Sequence, residues 1–404
     1  MRKLIVLILL AVLVPFSFTG CGGKSFPEVT YDIEKIDPRV PQRSAEFGLN
    51  IFRQLNTEDQ DQSVFISPLS IATALTMTYQ GAGDTTKEAM ASSLNYEGID
   101  MDVLNESCKN LLRYLQQTDD NIELSINNSI WIKKGEAVNQ GFINANSEVF
   151  DAYVSELDFS QDDAAGEINR WIDEATKGKI DRMLEPPIPA DVVMYLINAI
   201  YFRGEWAEQF DKKNTFGALF QNGDGSTADV MMMSKKGRVD YAQGDDHKVI
   251  RLDYGSGKTS MYLVLPIERP VNKFIADMTL SKWQSIKKSL AEEDEVLVQI
   301  PRFKLEYGIK ELNDSLSALG MAEAFTGSAD FSGIREGIFI SRVLHKAVIE
   351  VNEEGSEAAG VTVVEMVESA AADPTTFIAD RPFMFVIEEN ETGTILFMGK
   401  LWEM

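Results

Sequence analysis

The chain contains two histidines, and they limit the catalytic chemistry that the sequence can support. His247 lies in the polar stretch QGDDHK, which predicts a solvated turn, and His345 lies in the apolar strand pattern SRVLHKAVIEV. A lone histidine in such a strand is usually a buried core residue. The sequence contains neither a G-x-S-x-G elbow nor an H-E-x-x-H motif. We therefore expect that the protein is not an enzyme. A hydrolase that uses His345 is the alternative, and burial of this residue would exclude it.

Two other motifs could carry chemistry but fit structural roles better. GSGKTS at 255–260 resembles part of a phosphate-binding loop, but Leu252 stands where that loop needs a glycine. The apolar strand pattern SMYLVLP follows instead of a helix, so a hairpin turn is expected. Cys108 shares helical spacing with the leucines of LNESCKNLLRYL, which indicates a core or boundary residue. No metal or cofactor is expected.

The N-terminus is predicted to be an export signal. Arg2 and Lys3 precede a short apolar run, and Cys21 follows two small residues. This order resembles a bacterial lipobox, in which Cys21 is the lipidated first residue. An uncleaved membrane anchor is the alternative, although the run is short for a full span. The expected organisation is a signal peptide over 1–20, a lipidated flexible tether over 21–42 and one domain over 43–404.

The net charge bears on location and partners. The chain has 38 basic and 63 acidic residues, a formal net charge of −25. This charge argues against nucleic acid or anionic lipid as the main partner. The membrane is expected to be contacted only through the lipid on Cys21. The predicted location is the bacterial cell envelope, anchored at the outer membrane and facing the periplasm or the exterior.

The remaining pattern predicts an α+β fold, because helical and strand-like segments alternate without a regular βαβ rhythm. Ser67 and Pro68 predict the start of a helix that runs to about Tyr79. Thr85 and Glu88 have the spacing of a capping box for the next helix. Further helices are expected near 102–117 and 168–180. Strands are expected at 124–132, 192–202, 260–266, 295–305 and 383–389.

The stretch NEEGSEAAGVTVVEM at 352–366 joins a flexible segment to a β-branched segment. The even-numbered residues from 356 to 366 are uncharged, whereas Glu357 and Glu365 fall on the other face of a strand. Residues 355–360 have poor strand propensity and are typical of a hinge. The segment is therefore predicted to exist either as a loop or as a half-buried strand. An ordinary edge strand after a turn is the alternative.

The chain resembles the serpin family over about residues 44–404. KAVIEVNEEGSEAAG at 346–360 is similar to the hinge of inhibitory serpins, and FIADRPFMFVI at 377–387 to the family's C-terminal signature. Three further similar segments occur in the expected order, at 64–90, 197–206 and 319–334. The resemblance implies three β-sheets surrounded by about nine helices. It also implies an exposed reactive-centre loop, here at about 355–380.

The resemblance implies an irreversible suicide inhibitor of extracellular or periplasmic serine proteases; some family members act on cysteine proteases as well. The protease cuts the loop and forms an acyl-enzyme, and the cut loop inserts into the central sheet as a new strand. The protease stays covalently bound to a monomeric inhibitor. The small inward-facing hinge residues favour this function over a non-inhibitory serpin-fold binding or chaperone-like protein.

The resemblance also assigns roles to particular residues. The reactive bond is Ser369–Ala370 when counted from Gly355, or Ala371–Ala372 when counted back from Pro382. Small residues at the cut fit elastase-like or subtilisin-like pockets. Three groups carry over by position: the hinge (Glu353, Gly355, Ser356, Glu357, Ala358, Ala359, Gly360), the shutter (Ser67, Ser70, Asn198, His345) and the breach (Trp206, Arg302, Glu353).

Overall fold

The structure is a computed structural model, and it describes residues 30–356 and 375–404. Within these ranges, Tyr31–Met404 form one compact unit. No helix in this part of the chain is long and apolar enough to cross a membrane. The predicted signal peptide, Cys21 and most of the reactive-centre loop lie outside the described residues.

The described residues contain nine α-helices. They are α1 (Arg39–Glu58), α2 (Pro68–Tyr79), α3 (Asp84–Ser93), α4 (Met101–Leu115), α5 (Gln140–Phe150), α6 (Ala164–Ala175), α7 (Val271–Ala276), α8 (Leu280–Ser289) and α9 (Asn313–Leu316). Short 3₁₀ helices occur at Ile33–Lys35, Lys212–Asn214 and Ala322–Phe325, and a π-helical turn at Ser317–Met321.

The same described ranges contain fifteen strands, which lie between and after these helices. They are β1 (Val64–Ile66), β2 (Ile122–Lys133), β3 (Tyr153–Leu157), β4 (Met194–Glu205), β5 (Phe216–Gln221), β6 (Thr227–Gln243), β7 (His247–Tyr254), β8 (Thr259–Pro266), β9 (Ala291–Pro301), β10 (Phe303–Glu311), β11 (Leu344–Val351), β12 (Gly355–Ser356), β13 (Thr375–Ile378), β14 (Phe383–Glu389) and β15 (Thr394–Leu401).

The strands form two hydrogen-bonded sheets rather than three separate ones. The six-stranded sheet has the order β10-β11-β12-β4-β2-β3. The nine-stranded sheet has the order β1-β15-β14-β8-β7-β6-β9-β13, with β5 also paired to β6. The long strand β6 pairs with β5, β7 and β9 at different points along its length. Two of the three expected sheets are therefore continuous through β6.

The core lies against both sheets. β8, β14 and β15 are buried along their whole length. Phe47 and Phe52 of α1 are fully buried, as are Phe383 and Phe385 of β14. A second cluster lies under α6, whose isoleucines pack with side chains of β2 and β4. Burial of side chains of this size contributes roughly 1.5–3 kcal/mol each, and this holds the helices to the sheets.

Several predicted elements are confirmed. α2 begins at Pro68, and the Ser67 hydroxyl accepts a hydrogen bond from the Ser70 N–H at 3.2 Å. The GSGKTS stretch is the turn of the β7–β8 hairpin, in which Tyr254 faces Thr259. The predicted strand at 295–305 is divided at Arg302, because β9 pairs with β6 and β10 pairs with β11. Arg302 therefore lies where the chain passes from one sheet to the other.

Two local predictions are wrong. The capping box of Thr85 and Glu88 does not form: α3 begins at Asp84, and Thr85 donates its hydroxyl to Glu323 at 2.6 Å. The tether predicted over 21–42 extends too far, because Val40 is buried in α1 and the N–H of Asp37 donates to Ser107 of α4 at 2.9 Å. The polar, proline-containing stretch 31–42 is thus packed through contacts with α4 that its own composition does not indicate.

Candidate functional site

After β11 the chain re-enters the six-stranded sheet at its centre. β11 ends at Val351, the chain turns over 352–354, and β12 runs antiparallel between β11 and β4. Ser356 is aligned with Val351 on one side and with Gly204 on the other. The hinge therefore begins a new central strand at Gly355.

β4 and β11 flank this central position, and β12 connects them. Among residues 30–356 and 375–404, no register pair joins β4 directly to β11. A cavity of about 290 Å³ is lined by these two strands, by α2 and by the segment that precedes β11. Its walls include Ile71, Leu75, Leu196, Asn198, Val343 and His345. The facing strand edges can accept a further strand, because they carry backbone donors and acceptors.

Gly355 occupies a position that no other residue type fits. Its φ is +152°, and a Cβ atom added to it would lie 2.1 Å from the carbonyl oxygen of Gly204. The next residue, Ser356, is buried, and its hydroxyl lies 2.6 Å from the hydroxyl of Tyr254. The side chain of Ser356 therefore points inward, as predicted for the even-numbered hinge residues.

The breach residues meet around the turn at 352–354. The Glu353 carboxylate is 1% exposed and accepts hydrogen bonds from Arg302 Nε at 2.7 and 2.8 Å. The Thr215 hydroxyl donates to the same carboxylate at 2.5 Å. Burial alone would raise the pKa of Glu353, but these hydrogen bonds and the charge of Arg302 outweigh it and hold the pKa below its ordinary value. The expected Arg302–Glu353 ion pair is present.

Trp206 binds the backbone of the same turn. Its indole N–H donates to the carbonyl of Asn352 at 2.9 Å, and its backbone N–H donates to the carbonyl of Glu354 at 2.9 Å. The indole stacks on Tyr254 with ring centroids 4.4 Å apart. One aromatic pair thus contacts both the turn and, through Tyr254, Ser356 of β12.

The shutter residues lie near one another but form two separate groups of hydrogen bonds. The backbone N–H of Ser67 donates to His345 Nε2 at 3.1 Å, and the Ser67 hydroxyl donates to the carbonyl of Leu396 at 2.7 Å. This ties β11 to α2 and β15. Burial lowers the pKa of His345 to about 4, so the imidazole is neutral at pH 7 and Nε2 acts as an acceptor.

The second shutter group belongs to β4. Asn198 donates its amide to Asn128 Oδ1 at 2.8 Å, and Asn128 donates to the carbonyl of Phe150 at 2.7 Å. The Ser70 hydroxyl lies 3.5 Å from the carbonyl of Asn198, at the limit of a hydrogen bond. Asn198 is therefore held on the β2 side, whereas His345 is held by α2.

The structure decides the alternatives for the two histidines. His345 is 4% exposed and its Nε2 is occupied, which removes the hydrolase hypothesis. The prediction that His247 lies in a solvated turn is wrong. It is the first residue of β7 and is 9% exposed; its ring packs against Phe274, and its Nδ1 lies 2.8 Å from Asp246. The polar turn ends at Asp246 rather than at Lys248, so the imidazole joins the strand.

Cys108 is buried in α4, and burial raises the pKa of its thiol to about 12, so it is an unreactive core residue.

Residues 30–356 and 375–404 contain no cluster of three or more metal-ligating side chains. The remaining predicted site residues lie outside the described residues: Cys21, Glu357, Ala358, Ala359, Gly360, Ser369, Ala370, Ala371 and Ala372.

The sequence did not single out several residues that complete the site. Thr215 binds Glu353, Tyr254 binds Ser356 and Asn128 binds Asn198. Lys212 contacts Glu354 as an ion pair. Thr215 and Lys212 are about 140 positions away from their partners and lie in an ordinary polar stretch, so no local pattern marks them.

Comparison with known proteins identifies the family. The model of the family described as "Serpin (serine protease inhibitor)" matches residues 42–404. The chain belongs to the serpin family. It has the serpin fold, and serpins are generally protease inhibitors rather than enzymes.

Relatives and solved structures cover nearly the whole chain. An uncharacterised serpin-like protein of Methanosarcina acetivorans is 35% identical over 93% of this chain and 91% of its own length. Intracellular coagulation inhibitor 2 of Tachypleus tridentatus is 34% identical over 89% and 90%. The native thermophilic serpin tengpin has a TM-score of 0.81 at 30% identity, covering 93% of this chain and 96% of its own. Thyroxine-binding globulin in complex with thyroxine has a TM-score of 0.81 at 28% identity, covering 90% and 99%.

His345→Gln should remove part of the serpin's acid sensitivity. The folded pKa of about 4 lies below the ordinary 6.5, so the unfolded chain binds more protons between these values and stability falls as the pH drops through this window. Glutamine can accept from the Ser67 N–H but does not titrate. Between pH 7 and pH 5 the wild type should lose about 2 kcal/mol more than the variant, measured by denaturant unfolding. An unchanged pH dependence in His345→Gln would refute the assignment.

Glu353→Gln should destabilise the domain, because Arg302 is left without its counter-charge while the shape is kept. Breaking a buried pair costs roughly 3–5 kcal/mol, and the part exposure of Arg302 reduces this to about 2–4 kcal/mol. The midpoint of urea unfolding measures the effect. Glu311→Gln, an exposed position at the end of β10, should stay within about 0.5 kcal/mol of wild type. Equal midpoints for the two variants would show that the ion pair adds no net stability.

Proposed function

We propose that the protein is an irreversible inhibitor of serine proteases, which it traps by inserting its own cut loop into the central sheet. The observation that supports this most directly is the position of Ser356. It already lies between β11 and β4, with its side chain buried and its backbone aligned with both strands. Residues that follow it in an extended conformation would continue along the same gap.

The sequence after Ser356 suits this position. In an inserted strand, Ala358, Gly360 and Thr362 would fall on the inward face, where a small uncharged side chain can pass between two strands. About a dozen inserted residues would form about ten ladder hydrogen bonds at roughly 1 kcal/mol each, before the cost of ordering the loop. That is comparable with the roughly 5–15 kcal/mol that stabilise a whole domain. The uncut protein is then kinetically trapped, and the cut releases the difference.

The proposed targets are proteases that prefer a small residue at the cut, of the elastase-like or subtilisin-like kind. The proposed reactive bond is Ser369–Ala370, with Ala371–Ala372 as the second choice. The name of the Tachypleus tridentatus relative is that of an inhibitor, which supports this class of function. Thyroxine-binding globulin is a non-inhibitory member of the family, so a binding protein is the alternative outcome.

We place the monomeric inhibitor at the bacterial cell envelope. A signal peptide over 1–20 and a lipid on Cys21 would anchor it, with the serpin domain facing the periplasm or the exterior.

Incubation with an elastase-like or a subtilisin-like protease should give a covalent complex that survives boiling in detergent. The acyl ester formed at the cut would be retained because insertion of the loop disrupts the protease active site. N-terminal sequencing of the released fragment should begin at Ala370 or Ala372. A trypsin-like protease should give no complex. Cleavage without complex for all three proteases would favour the binding-protein alternative.

Ala358→Arg should convert the inhibitor into a substrate, because a charged side chain on the inward face would have to be buried as the strand inserts. Ala359→Arg is the matched control, since its side chain would fall on the outward face of the inserted strand. Gel analysis with an elastase-like protease should show complex for Ala359→Arg and mainly cleaved serpin for Ala358→Arg. The opposite ranking, or equal yields, would contradict the assigned faces.

A further inference from the structure

Glu354, the residue that precedes Gly355, is held by an ion pair of its own. Its carboxylate contacts the ammonium group of Lys212, and both side chains are about one-third exposed, at 33% and 30%. Lys212 begins the 3₁₀ helix Lys212–Asn214, which is capped by the Asp211 side chain. The ion pair therefore connects the hinge to a short 3₁₀ helix whose N-terminus is capped.

This element belongs to a longer segment that contacts the turn repeatedly, residues 206–215, here named the clamp segment. Besides the two Trp206 hydrogen bonds, the backbone N–H of Phe210 donates to the carbonyl of Glu353 at 2.9 Å. Thr215 donates to the Glu353 carboxylate, and Lys212 contacts the Glu354 carboxylate. Every residue of the turn at 352–354 thus meets the clamp segment.

The clamp segment connects the turn to one side of the sheet. It follows β4 directly in the chain, since β4 ends at Glu205. Arg302 lies on the other side, next to β10, which pairs with β11. Glu353 is bound both by Thr215 of the clamp segment and by Arg302, whereas Glu354 is bound by Lys212, which lies in the clamp segment after the end of β4. Lys212 is therefore placed to fix the distance between the turn and the end of β4.

We propose that Lys212 is a positioning residue for loop insertion: it holds the turn at 352–354 against the end of β4 and so keeps Ser356 aligned with Gly204. Its effect on inhibition rests on the proposed function, but its effect on the hinge does not. A single substitution of this part-exposed lysine removes the ion pair without changing the backbone or a buried group.

The consequence for inhibition follows from a competition between two steps. Once the acyl-enzyme has formed, either the loop inserts or water attacks the ester, which breaks the acyl–oxygen bond and returns the protease serine together with cut inhibitor. Alignment of Ser356 in advance favours insertion, because the first register pairs already exist. Loss of a part-exposed ion pair should slow insertion by about 2- to 5-fold. The number of inhibitor molecules consumed per protease inactivated would rise accordingly.

The experiment compares Lys212→Met with Lys213→Met in the full chain. Lys213 is the exposed neighbour on the same 3₁₀ helix, so its variant loses the same charge but not the contact with Glu354. Hydrogen exchange of the peptide covering 350–356 is measured first, because it requires no protease. It should be faster in Lys212→Met than in the wild type and in Lys213→Met. Lys212→Arg and the charge swap Lys212→Glu with Glu354→Lys should restore protection.

The second measurement is the number of inhibitor molecules consumed per elastase-like protease, at low and at high salt. Salt screens a part-exposed pair, so consumption by the wild type should rise with salt while Lys212→Met changes little. Equal exchange in Lys212→Met and Lys213→Met would overturn the positioning role, whether or not the protein inhibits. Faster exchange with unchanged consumption would overturn its link to insertion. Absence of any complex with the wild type would overturn the proposed function instead, and hydrogen exchange would still decide the role of Lys212.

Discussion

Buried backbone donors and acceptors need hydrogen-bond partners, and this requirement falls most heavily on the facing edges of β4 and β11. β4 is paired along nearly its whole length with β2, but on its other edge it meets β12 only at Gly204 and Glu205. β11 is paired along its length with β10 and meets β12 only at Val351. Within residues 30–356 and 375–404, the position between them is therefore where the sheet can still gain hydrogen bonds, and the hinge enters it at Gly355.

The turn at 352–354 determines how the chain enters that position. Its two acidic residues have different partners: Glu353 points inward to Arg302 and Thr215, and Glu354 reaches Lys212. Arg302 is available because β9 and β10 belong to different sheets and the chain bends between them. Arg302 lies at the point where the predicted strand is divided into two, and its positive charge neutralises Glu353. The position of Gly355 then follows, because any side chain there would collide with Gly204.

The sequence predicts those parts of the molecule that depend on local patterns. The start of α2 at Pro68, the turn of the β7–β8 hairpin and the inward orientation of Ser356 are of this kind, since cap, turn and strand alternation are properties of neighbouring residues. Contacts between distant residues decide the rest. Thr85 has the right spacing for a capping box, but in the folded chain its hydroxyl donates to Glu323 instead. No local pattern identifies the distant partners of Glu353 and Glu354 either. Only the resemblance pointed to Arg302, and nothing in the sequence pointed to Lys212 or Thr215.

The shutter explains why these modest contacts can matter. His345 is bonded to α2 and Asn198 to β2, so within the described residues no side-chain hydrogen bond joins β11 to β4 beneath the hinge. In the proposed mechanism, insertion of a strand between them need not break such a bond, and the roughly 10 kcal/mol gained along the ladder would be far larger than the contribution of any single contact at the turn. The turn contacts therefore cannot decide whether the inserted state is more stable. They can decide how soon insertion begins, which is the quantity that matters when it competes with hydrolysis of an ester.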